Sequence, residues 1–328
     1  MVKHMRNGRE NKPMNIAGET REPEVRERVL EALRTFGEKT LRYSGEKAGP
    51  SILIIGGTHG NEVLGVLVAD LLRESLETGA LMLKSGEVHL TLGNTRAIEA
   101  DARTASGGVD LNRIFLPSVI SGKEDKGWEG RRAQKITEAI RSSDIVIDLH
   151  STNRPSPAFV CALGDEEHSS VYKWLPRESV VLDPERIVSG GGGSIDEAAD
   201  DFGKVGICYE SGQATDMRNI VPVFEAIRAI MIERGMVDGV LPELPLAGSE
   251  YTVMTSIPYD ASRPFVFAEG KERGFAPIAK GEIIGHQGNI PVYSPLDGII
   301  LFPKKPEHQE SAGLVCYLAS RKETQIQT

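Results

Sequence analysis

An uninterrupted apolar run closed by two glycines, Ser51 to Gly57 (SILIIGG), constrains this chain more than any other segment. A strand with no polar alternation must be covered on both faces, and a parallel sheet packed between helices is what provides that cover. Three later stretches read the same way: VHLTLGN from Val88, SDIVIDLH from Ser143 and KVGICYESG from Lys204. Between them lie segments of helical period. Val25, Val29, Leu30, Leu33 and Phe36 form one face of the first, followed by NEVLGVLVADLLRESL, RRAQKITEAIRS and VPVFEAIRAIMIERGM. Strand and helix in alternation predict an α/β fold with a mostly parallel central sheet flanked by helices. After Leu241 the texture shifts to short apolar stretches broken by Gly and Pro. The expected organisation is a flexible N-terminal tail over residues 1–20, an α/β catalytic domain over 21–244 and a small C-terminal β domain over 245–328.

Composition narrows the function. The 328 residues carry 38 Lys+Arg against 47 Asp+Glu, a net charge of −9, with 5% aromatics. An acidic surface without a basic stripe repels phosphate backbones and anionic lipid, which argues against nucleic-acid and membrane partners. Three scattered cysteines, Cys161, Cys208 and Cys316, form no CxxC pair and suit a reducing compartment. No apolar run is long enough for a bilayer and the N-terminal segment lacks the apolar core of a secretory signal. The expectation is a soluble, cytoplasmic protein, and homo-oligomerisation is compatible with it.

Ligands of an open α/β sheet gather at the carboxyl ends of its strands. Here those ends are polar: Thr58-His59-Gly60-Asn61-Glu62 after the first strand, a loop with Asp110-Leu111-Asn112-Arg113 after the second, His150 closing the third and Glu210 in the fourth. His59 and Glu62, three residues apart at the expected start of a helix, can converge on one point, and His150 can supply a third ligand. Two histidines and a carboxylate with a fourth position open make a common catalytic zinc site. A single histidine at a strand end is more often a hydrogen-bonded core residue, and HxxE alone matches by chance. The coincidence of both, each flush against an apolar strand, favours the metal. Glu210 then suits a general base for a metal-activated water. Arg103 and Arg113 offer guanidinium forks for a carboxylate or an oxyanion, and Asp148 is placed to accept from a ligand histidine. Gly190 to Gly193 lack the GK[ST] of a phosphate loop, and His4, His89, His168, His286 and His308 show no ligand spacing.

Taken in order, GGTHGNE, NTRA, VDLNRIF, RRAQ, DLHST and the glutamate of ICYESGQ closely resemble the aspartoacylase and succinylglutamate desuccinylase family, relatives of the zinc carboxypeptidases, over roughly residues 50–240. The resemblance implies one Zn2+ per chain held by His59, Glu62 and His150, with Glu210 as the base that activates water. It further implies that Arg103 polarises the scissile carbonyl and that Asn112 and Arg113 grip the substrate's α-carboxylate. The reaction implied is hydrolysis of a small-molecule N-acyl amino acid, N-acetylaspartate in the leading case, to a carboxylate and a free amino acid. Succinylglutamate desuccinylation, deacylation of a neutral or basic N-acyl amino acid, peptide trimming and a non-catalytic metal- or ligand-binding module are the competing readings.

Two departures bear on the substrate. Aspartoacylases carry an arginine about ten residues before the base, where this chain has Asp200 within SIDEAADDFGKVG. They also present a tyrosine within an NEAAYY segment, whose counterpart here is read as HQESAGLVCY, with Glu310 kept and Gly313 near the tyrosine's place. Lys204 is the expected source of positive charge nearby. Asp196, Glu197, Asp200 and Asp201 point instead to a neutral or cationic side chain.

Overall fold

A computed structural model describes residues 22–322. The tail expected over residues 1–20 lies outside the described residues. The strands are β1 Thr40–Ser44, β2 Lys47–Gly56, β3 Ser85–Leu92, β4 Ile145–Thr152, β5 Phe159–Cys161, β6 Ser179–Leu182, β7 Val205–Gln213, β8 Ser249–Pro258, β9 Phe265–Phe267, β10 Pro277–Ile278, β11 Ile283–Gln287, β12 Ile290–Tyr293, β13 Gly298–Leu301 and β14 Leu314–Arg321. The helices are α1 Glu22–Phe36, α2 Leu64–Glu77, α3 Thr95–Ala100, α4 Pro117–Ile120, α5 Gly127–Arg141, α6 Glu166–Tyr172, α7 Ile195–Asp201, α8 Ile220–Glu233 and α9 Pro306–Ala312.

Eleven strands form one sheet in the order β1-β3-β2-β4-β7-β5-β6-β8-β14-β13-β10. Its centre, β3-β2-β4-β7, is parallel, as the apolar runs predict. Every residue of β4 is buried, as are Ile52 to Gly56 of β2. Helices cover both faces. One core joins α1, α2 and α8 to the sheet through residues such as Phe36, Leu64, Leu72 and Ile227. The other packs α5 and α7 on the opposite side through Leu53, Ile55, Ile136, Ile140 and Ile195.

The C-terminal strands continue this sheet. β8 pairs parallel with β6, and β14, β13 and β10 follow antiparallel. Among the described residues, β9, β11 and β12 form a separate three-stranded sheet. No described helix is long and apolar enough to cross a membrane.

Helix α2 begins at Leu64, later than its hydrophobic period suggests. His59 and Glu62 therefore lie in a turn ahead of the helix, closed by the Glu62 N–H donating to the His59 carbonyl at 3.1 Å. Close packing enforces this turn, because a Cβ at Gly60 would lie 2.0 Å from the carbonyl oxygen of Ala97.

Candidate active site

Three of the parallel strands deliver the chemistry to one place. The turn after β2 brings His59 and Glu62, β4 brings His150, and β7 brings Glu210, the direct register partner of His150. His59, Glu62 and His150 are 4%, 2% and 2% exposed, and a ligand atom from each lies within 4.8 Å of the others. Glu62 sits between the two rings, with Oε1 2.9 Å from His59 Nδ1 and Oε2 2.8 Å from His150 Nδ1. Burial would raise the Glu62 carboxyl, but the charges and hydrogen bonds of both histidines outweigh it and hold the group far below the usual carboxylate range.

The outer ring nitrogens are held as well. His150 Nε2 lies 2.7 Å from Asp148 Oδ2, whose other oxygen accepts from the Thr58 hydroxyl at 2.7 Å. His59 Nε2 lies 3.1 Å from Asp110 Oδ1. A carboxylate on the far nitrogen fixes ring orientation and raises the basicity of the near one, which is how metal-binding histidines are commonly supported. Two imidazoles and a carboxylate, buried and oriented in this way, fit a metal ion.

Asp110 links further. It accepts from the Asn112 backbone N–H at 3.0 Å and from Arg103 Nε and Nη2 at 3.2 and 2.9 Å. Arg103 is thereby aimed across the cluster, with Nη1 3.7 Å from Glu62 Oε1. Asn112 Nδ2 is 3.4 Å from His150 Nε2, while its side-chain Oδ1 accepts from the backbone N–H of Ile195, the first residue of α7. Arg113 donates to the Asn112 carbonyl at 2.7 Å. The loop before α7 is pressed against this pair, for Gly193 has φ 104° and a Cβ there would lie 2.7 Å from the Arg113 carbonyl oxygen. Only glycine fits.

Glu210 is 8% exposed, and its Oε2 is buried without a hydrogen-bond partner among the described residues. Burial, reinforced by the Glu62 charge, pushes its carboxyl up to about 8. A carboxyl in that range can both take and return a proton near neutral pH.

The seven residues that the sequence offers as metal-binding, catalytic or carboxylate-gripping groups, His59, Glu62, Arg103, Asn112, Arg113, His150 and Glu210, line one cavity of about 240 Å³. Sequence reasoning missed others. Asp110 stood in the DLNR motif without a role. From the connection between β13 and α9 the cavity receives Lys304 and Lys305, and from α9 His308, whereas Gly313 ends α9 in the left-handed conformation and Glu310 is exposed. Lys204 is not on the cavity wall; its Nζ lies 4.0 Å from Asp144. The positive charge expected there comes from Lys304, whose ammonium is lowered to about 8 by burial and by the charges of Arg103 and Arg113.

The family model for the succinylglutamate desuccinylase/aspartoacylase catalytic domain matches residues 48–228. Aspartoacylase from Rattus norvegicus is 39% identical over 110 residues, 31% of this chain and 34% of that protein. The chain thus spans about a third of the length of the curated aspartoacylases it matches. Succinylglutamate desuccinylase from Burkholderia pseudomallei is 24% identical over 298 residues, 84% of this chain and 83% of that one. The crystal structure of succinylglutamate desuccinylase from Vibrio cholerae superposes with a TM-score of 0.70 at 16% identity, covering 87% of each chain. With the family model covering more than half its length, this chain belongs to the succinylglutamate desuccinylase/aspartoacylase family.

Proposed function

We propose that this protein is a zinc-dependent amidohydrolase that cleaves a small N-acyl amino acid to a carboxylate and the free amino acid. One observation carries the reading: Glu210, a buried carboxyl with an unpartnered oxygen, faces the same cavity as the His59–Glu62–His150 cluster. When bound by those three residues, zinc would polarise the carbonyl and lower the pKa of a water. His59 and His150 are held in register for it by Asp110 and Asp148. Glu210 accepts the proton from the attacking water and passes it to the nitrogen of the leaving amine. Arg103, braced by Asp110, donates to the carbonyl oxygen as negative charge gathers on it. Asn112 and Arg113 hold the α-carboxylate. Three free cysteines suit a reducing cytoplasm.

The test is a zinc-supplemented screen of N-acetyl, N-formyl and N-succinyl amino acids and of dipeptides, read by released amine. Glu210→Gln is expected to lower turnover by about 10²- to 10⁴-fold with metal content retained. Joint loss of metal and activity in that variant would reassign Glu210 as a ligand. Preference for dipeptides would make the protein a carboxypeptidase, and zinc binding without any turnover would make it a binding module.

A further inference from the structure

Two of the three free cysteines stand opposite each other on the cavity wall. In the antiparallel pairing of β5 with β7, Cys161 is the register partner of Cys208, and two residues along Phe159 is the partner of Glu210. Both cysteines are half-buried and line the cavity that holds the His59–Glu62–His150 cluster. Residues two apart on a strand share a face, so the thiols and the Glu210 carboxyl project to the same side.

Register alone puts the pair within bonding reach. Opposed residues of an antiparallel ladder have Cα atoms about 4.5 Å apart at a non-hydrogen-bonded site and about 5.5 Å at a hydrogen-bonded one, while a disulfide spans about 4.4–6.8 Å. The two thiols are close enough to act on each other directly. Cys316 makes the contrast. It is buried among Ile257, Phe265, Ile284 and Ile300, off the cavity wall, and packs as a small apolar side chain. Packing accounts for that cysteine. It does not account for two thiols turned together towards a polar cavity beside the base.

We propose that Cys161 and Cys208 are a modification site, closed to a disulfide by a peroxide and reopened by a dithiol, and that closure slows turnover at Glu210. In the first step the Cys161 sulfur attacks a peroxide oxygen, the O–O bond breaks, and the thiol proton leaves with the departing hydroxide as water, giving a sulfenic acid. The Cys208 sulfur then attacks the Cys161 sulfur. An S–S bond forms, the S–O bond breaks, and the Cys208 proton leaves with that hydroxide as a second water. The two thiols together lose two electrons, and the peroxide gains them.

The Cys208 contact favours the Cys161 thiolate, although burial and the charges of Glu210, Asp196 and Asp183 outweigh it and leave that thiol raised. Cys208 is held well above the ordinary thiol range by its contact with Cys161 and by burial. Cys161 is therefore the attacking sulfur. With little thiolate at neutral pH, closure answers sustained rather than brief exposure and quickens as pH rises. It brings the sulfurs to about 2.05 Å. Strand β5 is three residues long, so the pull reaches Phe159, which faces Glu210 across the ladder. A displacement of about 1 Å at a reacting group can cost about 10²-fold in rate. The rate effect rests on the amidohydrolase reading above; the disulfide does not.

The experiment treats the zinc-loaded full chain with hydrogen peroxide at about pH 8, removes the peroxide with catalase, alkylates the unfolded protein and maps its peptides by mass spectrometry without reduction. The expected product is a peptide linking Cys161 to Cys208, separated by dithiothreitol, with Cys316 recovered alkylated. In parallel, kcat for the best N-acyl amino acid should fall at least tenfold with zinc content unchanged, and return with dithiothreitol. Cys161→Ser and Cys208→Ser should each hold their own starting rate through the same treatment, while Cys316→Ser loses it as the wild type does. Absence of the linked peptide, a linked protein with unchanged kcat, or equal inactivation of Cys161→Ser would overturn the proposal. Should the untreated protein hydrolyse no N-acyl amino acid, the amidohydrolase reading falls, and the linked peptide by itself upholds or removes the modification site.

Discussion

Replacing Asp196 by asparagine is expected to stabilise this protein at neutral pH. Burial, with the charges of Glu197, Asp148 and Asp200 added, moves the Asp196 carboxyl from its ordinary 3.8 up to about 7. The sign follows from proton counting. Below pH 3.8 the folded and unfolded states both carry the proton and the group is neutral in the balance. Between 3.8 and 7 the unfolded chain releases it while the native state keeps it, so native stability falls as pH rises. Above about 7 both are ionised and the folded state bears the whole penalty, about 4 kcal/mol. Asparagine keeps the shape and never ionises. Its advantage should be about 1.5 kcal/mol at pH 5 and about 4 kcal/mol above pH 8. Guanidinium titrations of the metal-loaded proteins at both pH values measure it. A gap that does not widen with pH, or a variant less stable than wild type at pH 8, would refute the reasoning.

Arg132 is 2% exposed and donates to the carbonyls of Gly93, Leu92 and Glu38 and to the Thr91 hydroxyl. Arg132→Ala strands these acceptors and empties the volume, so chemical denaturation should show a loss of about 3–5 kcal/mol, only partly recovered by Arg132→Lys. Lys304, lowered to about 8, is a cation below that pH and loses its charge above it. KM for an N-acyl amino acid should rise as pH passes through 8, and Lys304→Met should raise KM at pH 7 and flatten the profile, as initial rates between pH 6.5 and 9 will show. Chelation should lower the melting temperature, because an ion that binds only the folded state stabilises it. Zinc should restore it in the wild type and not in His150→Ala, by calorimetry alongside elemental analysis.

The parallel core and the convergence of its polar strand ends were legible because burial on both faces leaves apolar runs without alternation, and because such strands end where the polar residues begin. His59, Glu62, His150 and Glu210 all stand at or beside such ends. Asp110 was readable in principle, as a carboxylate two residues before Asn112, but its bond to His59 depends on where a 51-residue excursion returns. Lys304 was not readable. It reaches the cavity through the pairing of β6 with β8 and the strands added beyond, a long-range register that no local pattern encodes. The loop after β7's neighbour α7 misled in the same way, since Lys204 is near Glu210 in sequence yet points to Asp144.

The position of β14 sets an order of assembly. Strands β13 and β10 join the large sheet only through β14, which itself inserts against β8. A growing chain can close the parallel core, with His59, Glu62, His150 and Glu210 in place, while the segment carrying Lys304 still has nothing to dock on. Non-local pairings of this kind are slow to form. On this order His59, Glu62, His150 and Glu210 would be gathered in an open cleft first, and the wall that narrows the cleft would be hung last.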